Sequence, residues 1–243
     1  MNNSKSNNND GDDAILISNP QHLQAKGIIQ ISIPPNILNL QHWSSELTRI
    51  TPLIATLQDN EYAFYRNILE DEPDFPFDDV LHSAIGSAIQ RYFGIEDVKK
   101  EIRLDDAFCV HYNTDQSDTT CAKHVDPSDI TVNLCLEKSE DVKGSMVMFY
   151  GTQKLHDLHV EEVHGDDDDG EHHQEKEEEN GTSTTFLVDQ KEGYATIHWG
   201  NHPHEVTPLE AGKRTNVILT YCYTDKSRSD VATRCCYAMS SSS

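Results

Sequence analysis

The spacing of apolar residues divides the chain into a helical first part and a strand-rich second part. Apolar side chains recur every three or four positions over residues 38–57, 61–69 and 80–92, which predicts three amphipathic helices. Pro52 is expected to kink or split the first of them. Upstream, the alternating sequence GIIQISI at residues 27–33 predicts a strand that ends at a Pro-Pro pair.

From residue 102 onward the apolar period falls to two, the repeat of a β-strand with one buried face. Turns rich in Gly, Pro and Asp separate the apolar segments. Strands are expected over residues 107–112, 130–136, 146–150, 186–188, 195–199 and 217–223. Many short strands spaced in this way indicate a sandwich or jelly roll. The predicted fold is therefore mainly β, with helices on the N-terminal side.

Length and composition suit one domain with appendages. Among the 243 residues, a polar, Asn-rich start at residues 1–13 predicts a disordered tail, and residues 227–243 form a Ser-rich tail. The domain between them, residues 14–226, divides into helical support at about 38–100 and a jelly-roll core at about 104–223.

Charge is concentrated in one part of the sequence. The formal net charge is −23, and residues 156–180 hold twelve acids against one lysine. We interpret residues 154–190 as an acidic, His-rich insert that forms a solvated loop. Its histidines, which offer ligands for stray divalent metal, are His156, His159, His164, His172 and His173. A basic footprint for phosphates is absent, so a nucleic-acid partner is not expected.

The sequence predicts a soluble, intracellular protein. No segment approaches the ~20 apolar residues of a membrane-spanning helix, and the polar start does not resemble a signal peptide. Six cysteines include no C-x-x-C pair, which favours reduced thiols.

The candidate chemistry begins at His124-Val125-Asp126. In an extended chain, residues i and i+2 point to the same side, so the imidazole and the carboxylate can reach one metal ion. The alternative is a turn in which Asp126 caps the Pro-Ser-Asp segment that follows. A third ligand is available from residues 193–223, which contain His198, His202 and His204. Two histidines and one carboxylate form the facial triad of non-haem Fe(II) oxygenases.

Five sequence blocks, in this order, resemble the 2-oxoglutarate/Fe(II)-dependent dioxygenases of the prolyl 4-hydroxylase and lysyl hydroxylase type. The similarity covers about residues 104–223. The five blocks are residues 108–112, 124–133 with matches at 124–126 and 131–133, 144–151, 193–200, and 204–214 with matches at His204 and 212–214. The sequence departs from the pattern at Ser145, where the family's second glycine stands, and at His111, where the family has Arg.

The resemblance implies a double-stranded β-helix of cupin type with Fe(2+) bound by His124, Asp126 and His204. His204 is favoured over His202 because it lies six residues after His198 and ten before Arg214, the spacing of the family. His198 is expected to have a structural role.

The resemblance also implies 2-oxoglutarate as co-substrate, with its distal carboxylate bound by Arg214, whose planar guanidinium can make two parallel hydrogen bonds. Tyr112, Thr131 and Asn133 are further candidates for this pocket, and packing roles remain an alternative for all three. O₂ would be consumed, succinate and CO₂ released, and ascorbate would keep the iron reduced. The implied substrate is a prolyl or lysyl side chain of a protein.

Two other functions remain open at this point. A non-enzymatic, acidic, His-rich protein would bind metal or a partner through the insert on an inactive jelly roll. A metallohydrolase would use the same three ligands with Zn²⁺ and a bound water. The hydrolase leaves Arg214 without a role, and its general base is not evident in the sequence.

Overall fold

Two β-sheets pack face to face in the computed structural model, which describes residues 14–49, 64–116, 119–156, 185–229 and 231. The strands are β1 (Ile15–Ile17), β2 (Ile28–Ser32), β3 (Phe64–Asn67), β4 (Ile102–Asn113), β5 (Cys121–His124), β6 (Ile130–Lys138), β7 (Lys143–Gly144), β8 (Val147–Tyr150), β9 (Thr185–Val188), β10 (Tyr194–Trp199), β11 (His204–Val206), β12 (Leu209–Ala211) and β13 (Lys213–Tyr223).

The six-stranded sheet has the order β2-β10-β6-β13-β4-β3, and the five-stranded sheet has the order β1-β9-β8-β11-β5. The strands β7 and β12 form a small separate pair. All pairs are antiparallel except β1 with β9. This architecture confirms the predicted jelly roll, and each strand predicted from the period of two corresponds to an observed strand.

Short helices precede the long strands. They are α1 (Pro20–Ala25), α2 (Leu40–Thr48), α3 (Ile68–Asp71), α4 (Phe77–Leu81), α5 (Ala84–Phe93) and α6 (Val98–Glu101), and a 3₁₀ turn at Lys226–Arg228 follows the last strand. None of the helices in these described ranges is long and apolar enough to cross a membrane.

Two helix predictions were wrong in part. Residues 64–67 form the edge strand β3 on β4, and helix begins only at Ile68, where the Asn67 side chain accepts hydrogen bonds from two backbone N–H groups. Pairing with a long neighbouring strand overrides the local helical period. The helix predicted over residues 80–92 is interrupted because Ser83 starts a new helix by capping the N–H of Ile85.

The remaining predictions for the first part and the tails fall largely outside the described residues. These are the helix beyond residue 49, the tail at 1–13, the end of the Ser-rich tail and the centre of the insert with four of its five histidines.

The main hydrophobic core lies between the helices and the outer face of the six-stranded sheet. Ile85 and Ile89 of α5 are fully buried there, in the same apolar cluster as Val132 and Leu134 of β6. Because side chains alternate along a strand, the intervening Thr131 and Asn133 point to the other face, between the two sheets. A second apolar cluster, which includes Phe149 and Phe186, fills one part of that inter-sheet space. The polar side chains are thereby concentrated in the remaining part.

Candidate metal centre

Two adjacent strands and one turn bring His124, Asp126 and His204 together. The last residue of β5, His124, pairs directly with the first residue of β11, His204. Asp126 follows β5 by two residues, and one ligand atom from each of the three lies within 4.8 Å of the others. It is the one such group of His, Cys, Asp and Glu found in the described part of the chain.

Backbone carbonyls orient both imidazoles. The Nδ1–H of His124 donates to the carbonyl oxygen of Ala122 at 2.7 Å, and that of His204 donates to the carbonyl oxygen of His202 at 2.9 Å. A carbonyl oxygen only accepts, so each ring carries its proton on Nδ1 when neutral. The Nε2 lone pair is then available, and Nε2 of His124 lies 3.5 Å from Oδ1 of Asp126. This is the arrangement that a metal-binding imidazole requires.

Asp126 is held by the first residues of β6 and by two turns. Thr131 Oγ1 donates to Oδ2 of Asp126 at 2.6 Å, and the Ser128 hydroxyl lies 3.0 Å from Thr131 Oγ1. The backbone N–H of Asp126 donates to the carbonyl oxygen of Gly200 at 2.8 Å. A Cβ on Gly200 would lie 2.0 Å from the Ser128 carbonyl oxygen, so only glycine permits the two turns to approach this closely. The Thr131 side chain therefore contacts the carboxylate as well as the cavity.

The electrostatics of the three groups suit a cation. A hydrogen bond to Asp126, followed by one to Cys121, raises the pKa of His124 to about 10. Burial by itself would raise the pKa of Asp126, but the hydrogen bond with His124 and the nearby His204 hold that pKa well below its usual value. Burial lowers the pKa of His204. Asp126 is therefore ionised near neutral pH, and a divalent ion would displace a single proton, the one on His124.

The two other nearby histidines have different partners. His198 is buried, its Nδ1–H donates to the Trp199 carbonyl oxygen at 2.9 Å, and burial lowers its pKa to about 3. His202 is also buried, and its Nε2–H donates to the carbonyl oxygen of Gly151 at 3.2 Å. The His202 ring packs against that of Phe149, with centroids 4.9 Å apart. The structure therefore directs His202 away from His124 and Asp126, and places His204 beside them.

Arg214 lies in β13, opposite Tyr112 in β4, and is 1% exposed. Its guanidinium carbon is 5.2 Å from the centre of the Tyr112 ring. Within the described residues, Nε and Nη1 have no hydrogen-bond partner. Burial lowers the pKa of Arg214, yet a guanidinium stays protonated in proteins. A buried charge whose donors are unsatisfied is costly, so this side chain is suited to an anion that enters from outside the chain.

Arg214 and the three candidate ligands line one cavity of about 80 Å³ between the sheets. Tyr112, Thr131 and Asn133 line it too, so the structure brings together every site residue predicted from the sequence. Apolar side chains form the rest of the wall, among them Phe108, Val110, Val147, Val206 and Ile218.

Sequence reasoning missed Asn216 and Cys121, which also line the cavity. The period of two contained the signal for Asn216, since it lies two residues after Arg214 on the same strand and so shares its face. Cys121 had no such signal, because the short strand β5 has no clear alternation.

No protein-family model and no curated protein sequence matches the chain. Solved structures do match. A 2OG-Fe(II) oxygenase-family oxidoreductase from Burkholderia pseudomallei superposes with a TM-score of 0.51 at 13% identity, over 84% of this chain and 87% of that one. AviO1 from Streptomyces viridochromogenes matches with 0.54 at 16% identity, over 84% and 93%.

HygX from Streptomyces hygroscopicus, solved with nickel, 2-oxoglutarate and hygromycin B bound, matches with a TM-score of 0.53 at 13% identity, over 84% of this chain and 86% of that one. These similarities extend over most of each chain. The chain therefore has the double-stranded β-helix fold of the 2OG-Fe(II) oxygenase structures.

Proposed function

We propose that this chain is a dioxygenase that depends on Fe(II) and 2-oxoglutarate. The observation that carries the proposal is the buried Arg214, whose Nε and Nη1 are without partners among the described residues, in the same cavity as His124, Asp126 and His204. Metal ligands alone would suit several reactions. Metal ligands together with a buried guanidinium suit a co-substrate that chelates metal at one end and carries a carboxylate at the other.

The donor set fits Fe(II). Two imidazoles and one carboxylate are the ligands of non-haem Fe(II) oxygenases, and they leave further metal positions open. A zinc hydrolase would use the same ligands, but it gives Arg214 no role. Among the described residues that line the cavity, Asp126 is the only carboxylate, so no second carboxylate is available there as a general base.

Each residue then has a defined task. His124, Asp126 and His204 would hold the iron, which together with O₂ and 2-oxoglutarate supplies the oxidising power to break a C–H bond. Arg214 would bind the distal carboxylate through its planar fork of N–H donors, with Tyr112 and Asn133 beside it. The apolar wall would exclude water from the reacting atoms. Ascorbate would serve as the reductant that keeps the iron in the ferrous state.

For the substrate, we propose a prolyl or lysyl side chain of a protein, on the sequence resemblance described above. A small-molecule substrate is the second candidate, because HygX was solved with hygromycin B and another structure of this fold, SnoN, with nogalamycin RO. Incubation with a peptide panel and with a small-molecule panel, followed by mass spectrometry for a gain of 16 Da, separates the two. A gain confined to small molecules would contradict the protein substrate.

Co-substrate binding tests the proposal without turnover. Ni(II), which is bound in the HygX structure, would replace Fe(II), and calorimetry would measure the Kd of 2-oxoglutarate. We expect Arg214→Ala to weaken binding by about 30-fold or more, since truncating one partner of a buried charge pair costs about 2–5 kcal/mol. The matched control is Lys213→Ala, which removes the neighbouring half-exposed cation that pairs with Glu137. Equal losses in both variants, or no binding by the wild type, would contradict the proposal.

A further inference from the structure

Two asparagine side chains from neighbouring strands meet on the wall of the cavity. Nδ2 of Asn216, in β13, donates a hydrogen bond to Oδ1 of Asn133, in β6, at 2.5 Å. Asn216 is 1% exposed, and both residues line the cavity together with Arg214. Asn216 has no role in the function proposed above.

This hydrogen bond determines which donor and acceptor atoms of the two side-chain amides remain available to a ligand. A side-chain amide has one carbonyl oxygen, which accepts, and one NH₂ group, which donates. The contact uses the carbonyl of Asn133 and the NH₂ of Asn216. Within the described part of the chain, Oδ1 of Asn216 is buried without a hydrogen-bond partner, and the one hydrogen bond of the Asn133 side chain uses Oδ1, which leaves its Nδ2 unused. Asn133 therefore has a free donor, whereas Asn216 has a free acceptor, which cannot bind a carboxylate.

The free donor of Asn133 lines the same cavity as those of Arg214, and Asn216 lies between the two residues along the strand pair. Residues 214 and 216 share one face of β13, and β6 pairs with that strand so that Asn216 lies opposite Cys135 and Ile218 lies opposite Asn133. The Nε and Nη1 of Arg214 and the Nδ2 of Asn133 thus belong to one wall. An anion in the cavity would meet donors from both side chains.

No other described group holds the Asn133 amide. On its other side, Asn133 pairs with Thr196 across β6 and β10. The Thr196 hydroxyl instead donates to Oε1 of Gln190 and accepts from Nε2 of Gln30, both at 3.4 Å. The hydrogen bond from Asn216 is therefore the one described contact that holds the Asn133 amide with Nδ2 available to a ligand.

We propose that Asn216 is a positioning residue for 2-oxoglutarate, which it does not touch. Its N–H holds the Asn133 carbonyl, so that Nδ2 of Asn133 donates to a carboxylate of the co-substrate in the cavity that Arg214 also lines. If the Asn133 amide turned over, its carbonyl oxygen would face that carboxylate, and two acceptors would repel each other. This inference rests on the proposed function, since it takes the co-substrate from there.

A double-mutant cycle tests the inference. The Kd of 2-oxoglutarate would be measured by calorimetry on the Ni(II)-loaded full chain for wild type, Asn133→Ala, Asn216→Ala and the double variant. Asn133→Ala should weaken binding about tenfold or more, because it removes a hydrogen bond to a charged group. Asn216→Ala should weaken it by a smaller factor. The double variant should bind as Asn133→Ala does, because Asn216 acts only through Asn133.

The controls separate positioning from folding. Asn216→Leu keeps the volume without the hydrogen bond and replaces Asn216→Ala if that variant does not fold. Thr220→Val removes a buried hydroxyl from the same strand, where it bonds to the backbone at Asp106, and should leave the Kd unchanged. The Kd of Ni(II) should also be unchanged in the Asn216 variants.

Each contrary outcome has its own meaning. If the factors by which the two single substitutions raise the Kd multiplied in the double variant, Asn216 would act independently of Asn133. That result would overturn the positioning role. An unchanged Kd in Asn216→Ala would overturn it too. If the wild type did not bind 2-oxoglutarate, or if Arg214→Ala bound it as tightly as the wild type does, the proposed function itself would be contradicted.

Discussion

Hydrogen bonds from neighbouring groups fix the orientation of each candidate ligand side chain. Two backbone carbonyls hold the rings of His124 and His204, and Thr131 holds one oxygen of Asp126. Oδ2 accepts a hydrogen bond from the Thr131 hydroxyl, and Oδ1 is the carboxylate oxygen that lies 3.5 Å from Nε2 of His124. The side chains that would bind a metal are therefore held in place before it enters.

Loss of the Thr131 hydroxyl should weaken metal binding. We expect Thr131→Val, which keeps the shape, to raise the Kd of Ni(II) about 10- to 100-fold, the usual effect of removing a partner of a metal ligand. Thr131→Ser retains the hydroxyl and should stay near the wild-type value. Calorimetric titration with Ni(II) checks both variants. Equal Kd values for the valine variant and the wild type would show that Asp126 needs no such support.

Metal binding should become tighter as the pH rises. The pKa of His124 lies near 10 without a metal, so at neutral pH this ring carries a proton that a metal must displace. The Kd of Ni(II) should therefore fall about tenfold for each unit of pH between 6.5 and 8.5. Titrations at three pH values measure the slope. A slope of zero would mean that His124 is already neutral, contrary to its pairing with Asp126.

At the scale of elements, the site depends on two turns and two short strands. The sequence predicted the long strands because buried and exposed residues alternate clearly in them, and it predicted His124 and Asp126 from their spacing. The strands β5 and β11 are only four and three residues long, too short for a period to be visible. The choice of His204 over His202 therefore came from the resemblance, since only the pairing of β11 with β5 distinguishes the two rings.

The close approach of the turns predicts a severe effect of Gly200→Ala. The new Cβ would lie 2.0 Å from the Ser128 carbonyl oxygen and 2.5 Å from its Oγ, so the turn that carries Asp126 would have to move. We expect a stability loss above ~3 kcal/mol, larger than the effects of most single substitutions, and weaker Ni(II) binding. Urea denaturation and calorimetry measure the two effects.

Gly151→Ala is the matched control. Gly151 has a φ of 75°, but a Cβ there would have no atom within 4 Å. Its replacement should cost only the backbone strain of about 1–2 kcal/mol and leave the Kd of Ni(II) unchanged. If Gly200→Ala were no more harmful than this control, the contact between the two turns would not be what fixes Asp126.

At the scale of the whole molecule, the outer face of the six-stranded sheet packs in the apolar core, whereas its inner face carries polar residues of the cavity. Helices cover the outer face with apolar side chains, which supply the main core. The inner face can therefore carry Thr131, Asn133, Arg214 and Asn216, which would be costly in a core but serve a ligand. The interior polar residues follow from strand alternation, but their mutual hydrogen bonds depend on the register of β6 with β13 and could not be derived from the sequence.

Deletion of residues 157–184 shows whether metal binds at the jelly-roll site or at the acidic insert. The deletion removes eleven of the 23 net negative charges and four histidines, but none of the residues that line the cavity. We expect one Ni(II) to remain bound per chain, with its binding lost when His124→Ala is added. Metal binding that disappears with the deletion alone would favour a metal-binding role for the insert.

The proposed dioxygenase activity can be measured as succinate formed from 2-oxoglutarate in the presence of Fe(II), O₂ and ascorbate. The wild type should form succinate slowly without an added substrate, and Lys213→Ala should do the same. His124→Ala should lose the activity with its metal ligand, and Arg214→Ala should lose it with its co-substrate anchor. Absence of succinate from the iron-loaded wild type, or an undiminished yield from Arg214→Ala, would contradict the account.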